Sequence, residues 1–103
     1  MAAGNQGPAS GRADKSMALL KRREGIAAQV ADGEAVLLDI ESGEYFALNT
    51  VGSRIWELCD GTKSTADIVS VICDEFDVAE DVAAPDVAGI LGELEHAGLL
   101  VTA

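Results

Sequence analysis

The chain has 103 residues, 49% of them hydrophobic but only 4% aromatic, and a formal net charge of −11. That suits one domain with an aliphatic core and is too apolar for a disordered chain. No apolar run approaches the roughly 18 residues that cross a bilayer, and MAAGNQGPASGRADKS lacks the apolar segment of a secretory signal, so a cytoplasmic protein that neither spans nor binds a membrane is expected, with both cysteines reduced.

The charge is uneven. Residues 1–23 carry Arg12, Lys15, Lys21, Arg22 and Arg23 against Asp14, whereas residues 24–103 carry 17 acids against Arg54 and Lys63. A body this acidic repels a phosphate backbone, whose binding needs clustered cations, and nucleic acid is excluded as a partner. Residues 1–16 have no apolar period and read as a flexible tail. The tail and its basic end span 1–23, and the folded domain is expected over 24–103. Met17, which opens MALLKRRE, is a second candidate start.

Ile26 to Ala31 reads as a first strand. Asp32-Gly33 is a hairpin signal, and the run from Ala35 to Ile40 alternates, with Val36, Leu38 and Ile40 on one face and Leu37 and Asp39 on the other. After the Glu41-Ser42-Gly43 turn, Glu44 to Leu48 alternates again with Phe46 and Leu48 inward. The pattern then becomes helical. Asn49 is an N-cap, Val51, Ile55, Leu58 and Cys59 share a face, and Gly61 is expected at the left-handed C′ position. Ser64 and Asp67 form a capping box ahead of Ile68, Val69, Ile72, Cys73 and Phe76. A last helix carries Val87, Ile90, Leu91 and Leu94 and stops at Gly98. Pro85 belongs in a first turn, which puts its start between Asp81 and Ala84. Leu99-Leu100-Val101 tucks against the core. Sheet then three helices makes an α+β domain of winged helix-turn-helix type.

No catalytic set is complete, and no enzyme activity is expected. His96 is the single histidine, and Cys59 and Cys73 lie on apolar helix faces without metal-ligand spacing. No phosphate loop appears among the glycines, and neither cofactor nor metal is expected. No serine follows an aspartate, which excludes a phosphopantetheine carrier. Binding remains. The last strand of the small sheet leaves one edge open to an added strand. On the last helix Asp86, Gly89, Ile90 and Glu93 cluster on one flank of the apolar stripe. Gly89 and Gly92 each cost about 1 kcal/mol against alanine there. They either relieve packing within the chain or admit a foreign backbone. Tyr45 is either a binding platform or an ordinary outward-facing strand aromatic.

Val36-Leu37-Leu38-Asp39, Ser42-Gly43-Glu44-Tyr45-Phe46, Leu48-Asn49, Ile55-Trp56, Asp60-Gly61, Ile68-Val69, and Asp86-Val87, Ile90-Leu91, Leu94 and Gly98-Leu99-Leu100 in that order resemble the PqqD family. The resemblance spans about residues 25–101. It implies a RiPP recognition element: three strands and three helices that capture the leader segment of a ribosomally made precursor peptide and present its core to modifying enzymes. It also implies that the leader pairs antiparallel with Glu44, Tyr45, Phe46, Ala47 and Leu48, in a groove closed by the helix over about Val82 to Ala97. Its apolar anchors would enter between Phe46 and Ile90, with Asp86 and Glu93 meeting a basic or hydroxyl-bearing residue. Asp39-Ile40-Glu41-Ser42-Gly43-Glu44-Tyr45 is similar to stand-alone members of lasso-peptide clusters, which implies a leader peptidase and a macrolactam-forming cyclase as partners. Leu58-Cys59-Asp60-Gly61 is similar to the pyrroloquinoline quinone branch, where the partner would be a radical-SAM enzyme. Lys21-Arg22-Arg23 is either a docking segment for such an enzyme or a solvated linker. A winged-helix DNA reader shares the fold, but Val82 to Ala97 holds no lysine or arginine. In isolation the protein is a monomer or an edge-paired homodimer.

Overall fold

The structure is a computed structural model and describes residues 19–103. Its elements run β1 (Leu20–Arg22), β2 (Ile26–Ala31), β3 (Glu34–Asp39), β4 (Tyr45–Leu48), α1 (Thr50–Leu58), α2 (Thr65–Phe76), α3 (Glu80–His96) and β5 (Leu100–Thr102). A three-stranded antiparallel sheet ordered β2-β3-β4 is followed by three helices, an α+β arrangement. Residues 1–16, read above as a tail, and Met17 lie outside the described residues. No described helix is long and apolar enough to cross a membrane.

The β2–β3 hairpin closes through Asp32 and Gly33, both at positive φ (55° and 79°), as a two-residue turn matched to strand twist requires. Period two then sorts the side chains. Ala35, Leu37 and Asp39 face inward and are buried, while Val36 and Ile40 face out, 46% and 65% exposed. Register puts Leu48 opposite Ala35 and Phe46 opposite Leu37, so both share the inner face and pack against the core, as expected. Ile55, Trp56, Ile68, Ile72, Val87, Leu91, Leu94 and Leu99 supply the rest of that core.

Asn49 caps α1, its side chain accepting the Gly52 N–H at 2.8 Å, and Ser64 and Asp67 close the capping box of α2. Two helix ends differ from expectation. α1 stops at Cys59, whose N–H bonds the Trp56 carbonyl, rather than at a left-handed Gly61. Gly61 (φ +86°) instead turns the chain onto β1: its N–H donates to the Leu20 carbonyl at 3.0 Å, and an added Cβ would sit 3.3 Å from Ala103 Cβ. α3 begins at Glu80, ahead of the expected window, so Pro85 lies in its second turn. The missing donor falls on the carbonyl of Asp81, an exposed residue within reach of water.

The folded region also starts before Gly25. β1 pairs with β5, Leu20 opposite Thr102 and Arg22 opposite Leu100, so the segment read as the basic end of a tail is a strand, and the apolar C-terminal run is its partner. Arg22 and Arg23 are not solvated linker residues. Arg22 Nη1 donates to the Trp56 and Glu57 carbonyls at 3.0 and 2.7 Å. Arg23 Nε donates to the Gly98 carbonyl at 2.6 Å, and its Nη2 lies 2.7 Å from Asp39 Oδ2. Burial raises the Asp39 pKa, but Arg23 and the N–H groups of Ser42 and Glu41 outweigh it and hold the carboxyl below its ordinary value.

Candidate functional site

β4 ends one side of the sheet, and its ladder parity decides what that side offers. The Glu44 carbonyl accepts the Asp39 N–H at 2.9 Å. Phe46 and Leu48 therefore also turn their main-chain groups toward β3, and Tyr45 and Ala47 turn theirs away. Among the described residues no strand pairs with that outer side. Ser53, buried in α1, locks the far end: its hydroxyl accepts the Ala35 N–H at 2.7 Å and donates to the Leu48 carbonyl at 3.2 Å. The edge is thus held straight by its neighbours while its own outward groups stay unpaired. Tyr45 is 72% exposed on the outer face.

α3 leaves a flank over beside its core stripe. Ala83, Val87, Leu91 and Leu94 are buried; Asp86, Gly89 and Glu93 are exposed beside them, and Ile90 is half-buried against the core. Asp86 and Val82 line a hollow of about 70 Å³ with Val51, Ile72, Phe76, Val78, Ala83 and Val87. Val51 lies three residues past the end of β4, so the hollow links that strand end to the Asp86 side of α3. An added Cβ at Gly89 or Gly92 would meet nothing within 4 Å. Packing inside the described chain therefore does not require either glycine, which removes one of the two readings of them. Neither Asp86, Glu93 nor Glu44 joins an ion pair among the described residues.

Groups suited to chemistry lie elsewhere and apart. Cys59 is buried, and desolvation pushes its thiol up to about 11 despite Arg22 nearby. His96 is exposed at the last residue of α3. No cluster of three metal-ligating side chains occurs among the described residues.

The family model for coenzyme PQQ synthesis protein D (PqqD) matches residues 34–100. The chain belongs to the PqqD family. Two solved structures are similar to this member throughout its fold. One is TbiB1 in complex with the TbiA(beta) leader peptide, 36% identical, covering 78% of this chain and 93% of that one at a TM-score of 0.70. The other is a lasso peptide synthetase B1 complexed with the leader peptide, 30% identical, covering 82% and 99% at a TM-score of 0.72. No curated protein matches this PqqD-family chain.

The family match takes in β3, β4 and all three helices, the elements that carry the β4 edge and the α3 flank. Sequence reasoning missed Val51, Val78 and Val82, which line the hollow, and Ser53, which braces the edge. Val82 carried a signal in its spacing, an aliphatic residue four positions before Asp86 and outside the Val87, Leu91 and Leu94 stripe, and the structure leaves it 55% exposed.

Proposed function

We propose that the protein binds the leader segment of a ribosomally synthesised precursor peptide by strand addition to β4 and delivers it to modifying enzymes. The observation that supports this most is the uncovered β4 edge in a chain 36% identical to a protein solved with a leader peptide. Tyr45 and Ala47 would supply about four main-chain hydrogen bonds to an antiparallel segment. Glu44, Phe46 and Leu48 complete the strand. Ile90 and the hollow beside Asp86 would receive apolar anchors, Gly89 would let the leader backbone approach α3, and Glu93 and Asp86 would meet a basic or hydroxyl-bearing residue. The binding unit would begin at β1 rather than at residue 24, because Arg22 and Arg23 tie that strand to α1 and β3. The protein itself would be a cytoplasmic presenter rather than a catalyst.

One of the similar structures is a lasso peptide synthetase B1, which favours a leader peptidase and a macrolactam-forming cyclase as the enzymes served. The family description keeps the pyrroloquinoline quinone pathway, with a radical-SAM partner, as the second reading.

The test is calorimetric titration with synthetic leader peptides of the two classes. Ala47→Pro removes an N–H that makes no bond within the sheet, so the fold should persist while affinity drops about tenfold or more, roughly 1.4 kcal/mol. Ile90→Glu should act in the same direction. Unchanged affinity in folded variants would overturn the β4 site, and binding only of a quinone-pathway leader would move the protein to the second reading.

A further inference from the structure

Pleat parity gives β4 a set of side chains that main-chain pairing leaves unused. Tyr45 and Ala47 turn their N–H and C=O groups to the open edge, and their side chains rise from the face of the sheet opposite Leu37 and the core. Register sets Leu38 beside Tyr45 and Val36 beside Ala47 on that outer face. Val36 is 46% exposed, Tyr45 72%, and Ile40, just past the end of β3, 65%. Residues 24–103 hold 17 acids against two bases, yet these five side chains carry no charge, and Glu34 stands at the far end of the β3 row. The result is an apolar strip on an acidic body, and it runs up to the edge where the leader is to be added. The strip also has a relief. Ala47 is small and exposed, so the surface dips between the open edge and Val36, while the Tyr45 ring stands beside that dip on the same strand.

We infer that this outer face is a second specificity wall of the leader site, read by two apolar side chains of the leader; the inference rests on the strand addition proposed above. In an antiparallel addition, the leader residues directly opposite Tyr45 and Ala47 exchange hydrogen bonds with them. Residues directly opposite each other place their side chains on the same face. Those two leader side chains therefore emerge on the outer face and not on the Phe46 side. They are two residues apart, and the partner of Ala47 comes first in the leader because the strands run in opposite directions. Neighbouring strands lie about 4.8 Å apart, so a long apolar side chain opposite Ala47 reaches over its methyl group onto Val36. The partner of Tyr45 packs on the ring, which suits an aromatic or β-branched residue. The leader class that fits thus carries a bulky apolar residue, any residue, then an aromatic or β-branched one. Tyr45 is a binding platform in this arrangement, the first of the two roles open to it in the sequence.

The test is calorimetric titration of the full chain with synthetic leader peptides of the lasso and quinone classes, repeated with an alanine scan along the peptide. Tyr45→Thr and Val36→Thr keep the main-chain groups and a β-branched side chain at exposed positions, so the melting temperature should hardly move. Each should lower leader affinity about threefold to fivefold. Two leader positions separated by one residue should carry the loss. Alanine at the earlier position costs nothing further in Val36→Thr, and alanine at the later one costs nothing further in Tyr45→Thr. Ala47→Leu fills the dip and should weaken the unaltered leader several-fold, a loss recovered when the earlier leader residue is alanine. Unchanged affinity in folded Tyr45→Thr and Val36→Thr overturns the inference, whatever else covers the strip, and so does coupling of both variants to one leader residue. A wild-type chain that binds neither class of peptide refutes the leader-binding proposal itself. Affinity lost in Ala47→Pro but kept in Tyr45→Thr and Val36→Thr refutes only the outer wall.

Discussion

Two regions of this small domain are built on opposite terms. Where β1 meets β5, Arg22 and Arg23 reach the carbonyls of Trp56, Glu57 and Gly98 and the Asp39 carboxylate. That region is cross-linked from four elements or their connecting turns. Along β4 and the Asp86 side of α3, the outward groups of Tyr45 and Ala47, the carboxylates of Asp86 and Glu93 and the bare backbone at Gly89 have no partner among the described residues. The contrast shows how a domain of this size presents an edge without losing its shape. Stiffness comes from one region, and the other is left straight, unpaired and already in the geometry a strand needs, so little ordering is required on binding.

The comparison can be broken at its foundation first. Leu37→Ala, at a fully buried position of β3 opposite Phe46, should cost about 2–5 kcal/mol in urea denaturation and take leader binding down with the fold. A sharper separation comes from Gly89. Its Cβ would point into open space, so Gly89→Ala should raise stability by about 0.5–1 kcal/mol, whereas Gly89→Leu should keep the fold and lower leader affinity several-fold by titration. Gly92→Ala, farther from the Asp86 flank, should stabilise without altering binding.

Acid should loosen the fold at three carboxylates, one of them in the cross-linked region. Asp39, Asp60 and Glu75 are all held below their ordinary pKa values by hydrogen bonds and cations, chiefly Arg23, Thr62 with Lys63, and Arg54. A depressed folded-state pKa stabilises the fold above the unfolded value, and that contribution fades as pH falls through the folded one. The melting temperature should therefore drop below about pH 4. The smallest effect is at Cys59. Its thiol, raised to about 11, stabilises the fold below the free-thiol pKa and loses that contribution as pH rises above it. Thiol reagents at neutral pH should label half-buried Cys73 first and Cys59 only on unfolding.

Much of this was legible along the chain. The Asp32-Gly33 turn, the Asn49 cap and the Ser64–Asp67 box are set by bonds a few residues long, and the inward placement of Phe46 and Leu48 follows from period two. α3 was misplaced at its start because a proline forbids only one hydrogen bond, and a water-exposed carbonyl at Asp81 tolerates that loss. β1 was invisible because three residues, one apolar and two basic, show no periodicity, and their partner lies some eighty positions away. Bonds between separate elements likewise hid the roles of Arg22, Arg23 and Ser53, whose partners lie up to 35, 75 and 18 positions away.

Residue order alone, through short-range hydrogen bonding and the spacing of apolar side chains, settles the hairpins, the capped helices and the α+β order of this protein. Only packing in three dimensions decides which main-chain groups of β4 face outward, that Gly89 and Gly92 border open space, and that Val51 and Val82 meet across a hollow. These depend on register and on contacts between segments far apart in the chain, and no local preference encodes them.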